Sequence, residues 1–382
     1  MYVNLAVLAE TQAHERRVAL VPKLTAGLVR LGARLHLQSG AGAGIHLEDA
    51  AFSDVQVVSD RRALLKDADV VLGVAAPALD VIDAMKPGAI LISFIYADKQ
   101  AALLQRLLDR SITCFAMERI PRISRAQAMD ALSSQSALAG YYAIQLGATH
   151  LARVIPKITS AAGSIGPARV LVMGLGVAGL EAMATAHRLG AMVEGYDIRP
   201  DTREQALSLG GTFVDTGVDA SGQGGYARAL TAAEQATVGR VLTSHIQQSD
   251  LIVTTAAIPG KASPRLISHV QVNGMKAGAV IVDLSAEGGG NCEDTVPGKT
   301  VRVGPATIVA PLNVPSLLAE DASELYARNV CNLLGLMLKD NVITIDWSDA
   351  VLAATVLTHA GRNRTLPHPA AEAAPEPDKA LS

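Results

Sequence analysis

ARVLVMGLGVAGLEAMATAHRLGAMVEGYDIRP, running from Ala168 to Pro200, sets two strand-like runs around a helix-like one. Arg169–Met173 reads as a strand, its Val170–Met173 an unbroken apolar run as in a strand buried on both faces. Gly174-x-Gly176-x-x-Gly179 follows at once. In that spacing the first glycine makes the tight turn, the second lets a pyrophosphate approach the backbone, and the third lets the helix lie close to the sheet. Backbone N–H groups at the start of such a helix can hold phosphates. A second strand, Met192–Tyr196, ends at Asp197, eighteen residues past Gly179. That is close to the ~20 expected of an acid that accepts from an adenosine ribose. A carboxylate there repels a 2′-phosphate, so the segment predicts NAD(H) over NADP(H). Arg199, just past the acid, is the residue that could meet such a phosphate. A purely structural glycine turn is the competing reading, and the register of strand, motif, helix, strand and acid argues against it.

The alternation continues outward. Downstream, Thr212–Val214, Leu251–Thr254, Val280–Asp283 and Thr307–Val309 read as strands, and Asp321–Leu338 has helical spacing. The Gly/Ser-rich run Gly217–Gly225 predicts a mobile surface loop. Upstream, Tyr2–Leu8, Arg34–Gln38, Val55–Val58, Val70–Val74, Ala89–Ser93 and Thr113–Met117 read as strands, with helical patterns at Lys23–Leu31 and Ala101–Leu108. Ser124–Ala152 reads as one or two long helices. The fold class that follows is α/β, with two Rossmann-like doubly wound parallel-sheet domains linked by long helices. The expected boundaries are 1–135 plus 325–365 for the first domain and 136–324 for the NAD(H)-binding domain. Residues 366–382, rich in Pro, Ala and Glu, are expected to be a disordered tail. A second glycine cluster, Gly40-Ala41-Gly42-Ala43-Gly44, lacks the third-glycine spacing and reads as a structural turn.

Composition agrees. Of 382 residues 49% are apolar and 18% charged, which excludes intrinsic disorder. Aromatics are only 3%, so the core must be built from Ala, Val, Leu and Ile. The 33 Lys plus Arg nearly balance 36 Asp plus Glu, and nothing suggests a nucleic-acid surface. Cys114, Cys292 and Cys331 form no CxxC pair, as suits a reducing compartment. No secretory signal is visible, and apolar runs such as Ile90–Ala97 fall short of the ~18 residues of a spanning helix. There is no G-x-S-x-G, no H-E-x-x-H and no Cys/His ligand spacing, so no metal site is expected.

The densest polar segment is PRISRAQAMDALSSQSALAGYYA, Pro121–Ala143. On a helix, Gln127, Asp130 and Ser133 or Ser134 would share a face, with Arg122 and Arg125 at its approach. Met129, Leu132 and Leu138 mark an apolar face opposite. The polar groups are short and suited to hydrogen bonding, unlike the Lys and Glu of a merely solvated face; a capped surface helix remains the alternative. Asp283 and Glu287 follow a predicted strand end, where a place at a site mouth is open; equally open is that Glu287 and Asn291 merely hold the following Gly-rich turn.

ERRVALVP (Glu15–Pro22), MERIPRISRAQAMDALSSQSALAGY (Met117–Tyr141), the glycine fingerprint, TTAAIPGK (Thr254–Lys261), VIVDLSAEGGGN (Val280–Asn291) and NVPS (Asn313–Ser316) together resemble the soluble NAD(H)-binding component of proton-translocating nicotinamide nucleotide transhydrogenase, a relative of alanine dehydrogenase. The resemblance implies that Arg122, Asp130 and Ser133 hold the nicotinamide end of NAD(H) and that Gln127 reaches toward the second nucleotide. It further implies cofactor contacts at Ile123, Ser124, Arg125, Gly174, Gly176, Val177, Gly179, Asp197, Ile198, Arg199 and Ala257, and at Gly225 and Tyr226 on a loop that closes over the nucleotide. NADP(H) would sit on a partner component, beside membrane-spanning subunits that move the proton. The implied enzyme is AB-specific, works as a homodimer with those partners, and lies at the cytoplasmic face of the inner membrane. Hydride transfer between two nicotinamides needs geometry and dryness but no general acid or base. An amino-acid dehydrogenase needs a proton-handling Lys or His. In the alanine dehydrogenases a Lys and a His follow the strands matching Val70–Val74 and Ile90–Ser93; Gly73–Pro77 and Phe94–Asp98 here contain neither at those places. A free-standing amino-acid dehydrogenase and a non-enzymatic NAD(H)-responsive protein are the alternatives.

Overall fold

The computed structural model describes residues 2–219, 230–258 and 261–364. Gly225, Tyr226, most of the Gly217–Gly225 run and the tail expected at 366–382 lie outside the described residues. The chain divides into two compact units, Met1–Leu132 with Ala319–Ser382, and Ser133–Leu318.

The first unit is built on an eight-stranded sheet. Its strands run, in spatial order, Arg362–Asn363, Val356–His359, Thr113–Ala116, Ile90–Ser93, Val70–Leu72, Val3–Val7, Ala33–Gln38 and Val55–Val58. Neighbours from Thr113–Ala116 to Val55–Val58 are parallel, in the 3-2-1-4-5-6 order of a doubly wound sheet. Along Val3–Val7 the period of two sends Leu5 and Val7 to one core and Ala6 to the other. Leu5 and Val7 share theirs with Tyr326, Val330 and Leu333 of the helix Ala319–Met337. On the opposite face, Leu103 and Leu107, one helical turn apart on Ala101–Asp109, lie with Leu64, Val81 and Ile82.

The sheet is parallel, as expected of a doubly wound fold, except at one edge. Val356–His359 joins Thr113–Ala116 antiparallel, and Arg362–Asn363 pairs antiparallel beyond it. This returning hairpin caps an edge that would otherwise leave backbone groups unpaired.

The second unit carries a seven-stranded sheet in the order Thr212–Phe213, Met192–Tyr196, Arg169–Met173, Leu251–Thr254, Val280–Asp283, Ala306–Val309 and Thr300–Val303. All neighbours are parallel except the last pair. Arg169–Met173 has Met192–Tyr196 on one side and Leu251–Thr254 on the other, so the strand order reverses at the strand that leads into the glycines. Such a switch point is where doubly wound sheets bind ligands. Helix Ala232–Gln248, started by a Thr231–Glu234 capping box, packs Leu242 and Ile246 under the sheet.

The segment Ser124–Ala152 needs correcting. It is not continuously α-helical: Ser124–Met129 is a 3-10 turn, Asp130 leaves helical geometry (φ −71°, ψ 87°), and the α-helix starts afresh over Ala131–His150. Gln127 and Asp130 therefore do not share a face of one helix with Ser133. The Ala128 carbonyl, which a continuous helix would offer to Leu132, instead accepts from the Asn329 and Asn332 side chains at 2.9 and 2.8 Å. Among the described residues no helix is long and apolar enough to cross a membrane.

Candidate functional site

Each glycine of the fingerprint has its own steric duty. Gly174 is left-handed (φ +97°), and a Cβ there would meet Ala256 N and Thr255 Oγ1 at 2.9 Å. A Cβ on Gly179 would collide with the Gly174 carbonyl oxygen. That closeness lets the helix Val177–Arg188 dock on the turn. Gly176 alone of the three faces open space, with nothing within 4 Å of a Cβ built on it. It is also the N-cap of that helix, whose first N–H groups have no intrahelical acceptor. An uncrowded backbone at a helix N-terminus fits a dinucleotide pyrophosphate.

Asp197 ends the neighbouring strand and is 9% exposed. Its Oδ2 accepts from the Leu175 N–H (2.7 Å) and from Arg199 Nη2 (2.8 Å). Its Oδ1 accepts from the Arg199 N–H and Nε, both at 2.9 Å. The acid is thus tied to the glycine turn, and the arginine that could meet a 2′-phosphate has its guanidinium forked onto it. Ile198 between them is half-buried, and Val177 is exposed.

The far rim is the loop after Leu251–Thr254. Thr255 Oγ1 donates to the Gly174 carbonyl at 2.8 Å. Asn291, fully buried, pairs with both backbone groups of Ala256: its Oδ1 accepts from the N–H (3.0 Å) and its Nδ2 donates to the carbonyl (2.8 Å). Ala257 beyond it is exposed. Asp283, also fully buried, accepts from the N–H groups of Ser285, Asn291 and Cys292 and from Thr295 Oγ1 at 2.6–3.1 Å. Glu287 accepts from the Asn313 N–H (2.8 Å). These groups brace the rim, as the structural reading of the turn expects.

In the first unit, Arg122 and Ile123 are exposed just before the 3-10 segment, Ser124, Arg125 and Gln127 are exposed on it, and Asp130 is half-buried at its end. Ala126 and Met129 anchor the segment in the core. Arg125 is ion-paired with Asp349, the residue that caps helix Ala350–Thr355. Ser133 is half-buried near the start of the helix in the second unit. Asn329, Asn332 and Asp349 were invisible as site-bracing residues in the sequence, whereas Asn291 could be read as holding the Gly-rich turn. The two asparagines meet a backbone carbonyl and Asp349 a guanidinium about two hundred residues upstream, and no motif marks them.

The first unit also has a cavity of about 190 Å³, at the carboxyl ends of Val3–Val7 and Val70–Leu72, lined by Glu10, Gln12, Arg61, Gly73 and Ala75 among others. Glu10 accepts from the Val74 N–H at 2.6 Å and the Ala75 N–H at 3.4 Å. Burial pushes its carboxyl up to about 7 from an ordinary 4.5, and Glu15 adds to the rise. The folded state therefore binds this proton more tightly than the unfolded chain. Its stabilisation is complete below about pH 4.5 and is lost as pH rises through about 7, an upper limit of about 3 kcal/mol. Melting midpoints measured from pH 4.5 to 7.5 should show this downward component, and Glu10→Gln should remove it; an unchanged slope in the variant would refute the assignment.

A doubly wound sheet whose switch point carries an open second glycine and a tethered acid defines the second unit as a dinucleotide-binding domain. Residues 6–139 match the alanine dehydrogenase/PNT N-terminal domain and residues 143–365 the C-terminal domain, and the chain belongs to the alanine dehydrogenase/PNT family. It is 40% identical over 381 residues to an NAD(P) transhydrogenase subunit alpha protein of Rhodospirillum rubrum, covering 96% of this chain and 98% of that one. To alanine dehydrogenase of Mycobacterium tuberculosis it is 30% identical, covering 77% of this chain and 76% of the relative. Among solved structures, the transhydrogenase from Sinorhizobium meliloti superposes with a TM-score of 0.83 at 36% identity, over 94% of this chain and 98% of that one. An L-alanine dehydrogenase shares the fold, with a TM-score of 0.78 at 22% identity, over 94% of this chain and 96% of that one.

Proposed function

We propose that this chain is the NAD(H)-binding alpha component of a proton-translocating NAD(P) transhydrogenase. The observation that carries the reading is the open Gly176 cradle beside a tethered Asp197, in a chain whose resemblance to transhydrogenase alpha subunits covers almost its whole length. NADH, when bound, supplies a hydride to NADP⁺ held by a partner component. In this reading the N–H groups at the Gly176 turn hold the pyrophosphate, and Asp197 with Ile198 and Arg199 holds the adenosine ribose. Val177 and Ala257 line the dinucleotide. Arg122, with Ile123, Ser124 and Arg125 beside it, orients the nicotinamide end together with Asp130 and Ser133, while Gln127 faces the second nucleotide. Gly225 and Tyr226, outside the described residues, are assigned to the cofactor by the resemblance alone.

None of these side chains is asked to move a proton, because a hydride passed between two nicotinamides leaves no alkoxide or amine to neutralise. Their task is aim and exclusion of water. Partners would be the NADP(H)-binding and membrane-spanning subunits and a second copy of this chain, with AB-specific transfer. The assembly would lie at the cytoplasmic face of the inner membrane, which the chain reaches only through those subunits.

The test is reconstitution. The isolated chain should bind NADH with little turnover, and an added NADP(H)-binding transhydrogenase component should start reduction of an NADP⁺ analogue. Asp130→Ala or Arg122→Ala should slow that transfer by about 100-fold, the scale of a misplaced near-attack geometry, with little change in melting midpoint. Oxidation of L-alanine by the isolated chain with NAD⁺ would overturn the proposal in favour of a free-standing dehydrogenase.

A further inference from the structure

The segment assigned to the nicotinamide end is short, largely exposed and non-helical at Asp130, yet it must aim three side chains. Few local forces could do this. Within Ser124–Met129 and at its end the backbone bonds are short-range, Ala126 N–H to the Ile123 carbonyl (2.9 Å) and Asp130 N–H to the Gln127 carbonyl (3.2 Å). Such a turn frays unless something outside it over-determines its path.

The buried Ala126 and Met129 anchor it to the core, and two polar tethers, both within the first unit, fix the path of the chain between and beyond them. Asn329 and Asn332, one turn apart on the helix Ala319–Met337, each donate Nδ2–H to the same acceptor, the Ala128 carbonyl, at 2.9 and 2.8 Å. One carbonyl has two lone pairs, and here both are taken by side chains of one rigid helix. Ala128 follows Gln127 directly and lies two residues before Asp130. The second tether is the ion pair between Arg125 and Asp349, whose carboxylate also caps Val351 and Leu352 at 2.8 and 3.2 Å. Asn332 is exposed, so its bond to the Ala128 carbonyl does not come with filling the core, whereas Asn329 is buried at 6% exposure.

We propose that Asn329 and Asn332 are positioning residues for hydride transfer, holding the Ala128 carbonyl so that Gln127 and Asp130 stand in their working orientation. The inference rests on the function proposed above. An ordered loop already in its working geometry saves the entropy of ordering it at each encounter, and errors well below 1 Å govern transfer between two rings. The clamp therefore acts on rate more than on affinity, since the dinucleotide is gripped mainly at the Gly176 turn.

The experiment is single-turnover hydride transfer from NADH to an NADP⁺ analogue on a purified NADP(H)-binding transhydrogenase component. It is read beside NADH affinity, melting midpoint and hydrogen exchange of the amides at 126–131. Asn332→Ala should slow transfer by about 10-fold while the NADH dissociation constant stays within about 2-fold and the midpoint barely moves. Asn332→Asp keeps the shape but cannot donate, and it should slow transfer at least as much. Asn332→Gln, which restores a donor, should recover part of the rate. Exchange at 126–131 should quicken in the Ala and Asp variants. Asn329→Ala should behave likewise, and if it does not fold the exposed Asn332 series decides alone. Unchanged transfer in both Asn332→Ala and Asn332→Asp would overturn the proposal, as would a loss of rate matched by an equal loss of NADH affinity. If the unmodified chain transfers no hydride, the functional reading fails instead, and the exchange rates still decide whether the clamp orders the segment.

Discussion

Gly176→Ala should fold like the unmodified protein and bind NADH about 100-fold more weakly, a difference of about 2.7 kcal/mol. The two halves of that expectation have separate causes. Gly176 has an ordinary negative φ of −78°, which alanine adopts freely, and its Cβ would enter space empty to 4 Å. Alanine is a poorer N-cap than glycine, so the helix should lose about 1 kcal/mol at most. The same methyl would stand where a pyrophosphate must come close to the backbone. Gly179→Ala is the control of opposite kind. Its Cβ has a backbone oxygen in the way, which has no rotamer to retreat into, so the second unit should lose several kcal/mol or fail to fold. Thermal unfolding and NADH titration of both variants separate the cases. Undiminished NADH binding in Gly176→Ala would mean that the dinucleotide does not cross that turn.

The second large effect concerns cofactor choice. Asp197→Asn should lower NADH affinity by about 10-fold and raise NADPH affinity, shifting the ratio of the two by about 100-fold. The carboxylate now occupies the Arg199 guanidinium with a fork of 2.8 and 2.9 Å contacts and would repel a 2′-phosphate. An amide removes the negative charge, weakens the hold on Arg199 and leaves a cation where that phosphate would lie. The Leu175 N–H can still be met by the amide oxygen, so the turn should survive. Equilibrium titrations with NADH and NADPH measure the shift, and an unchanged ratio would show that the Asp197–Arg199 pair is not the discriminating element.

What the sequence revealed depended on whether a residue's partner was its near neighbour or a periodic one. Arg169–Met173, Leu251–Thr254 and Val280–Asp283 could be bounded to the residue, because strands covered on both faces are runs of β-branched and aliphatic side chains, and Met192–Tyr196 from its place between the glycine helix and Asp197. The distinct burdens of Gly174, Gly176 and Gly179 could be read from spacing alone. The hairpin Ile158–Ser160 with Gly163–Ile165 could not, since every residue in it is exposed and no burial pattern marks it. The break at Asp130 was equally hidden. It follows from two asparagines some two hundred positions downstream that take a carbonyl away from a local helix bond. Likewise, nothing in YDIRP states that Arg199 folds back on Asp197, because that depends on side-chain torsions and on the N–H of Leu175 across the turn.

The discontinuous first unit also bears on biosynthesis. Its sheet takes an outer strand from Val356–His359, and its core takes the Ala319–Met337 helix, whereas everything in the second unit has been translated by Leu318. A growing polypeptide therefore leaves the outer edge of Thr113–Ala116 unpaired and one face of the sheet without its helix while the later-encoded unit can already mature. A nascent chain stalled before residue 319 would carry a finished nucleotide fold joined to an apolar, uncovered sheet, the kind of surface that chaperones recognise.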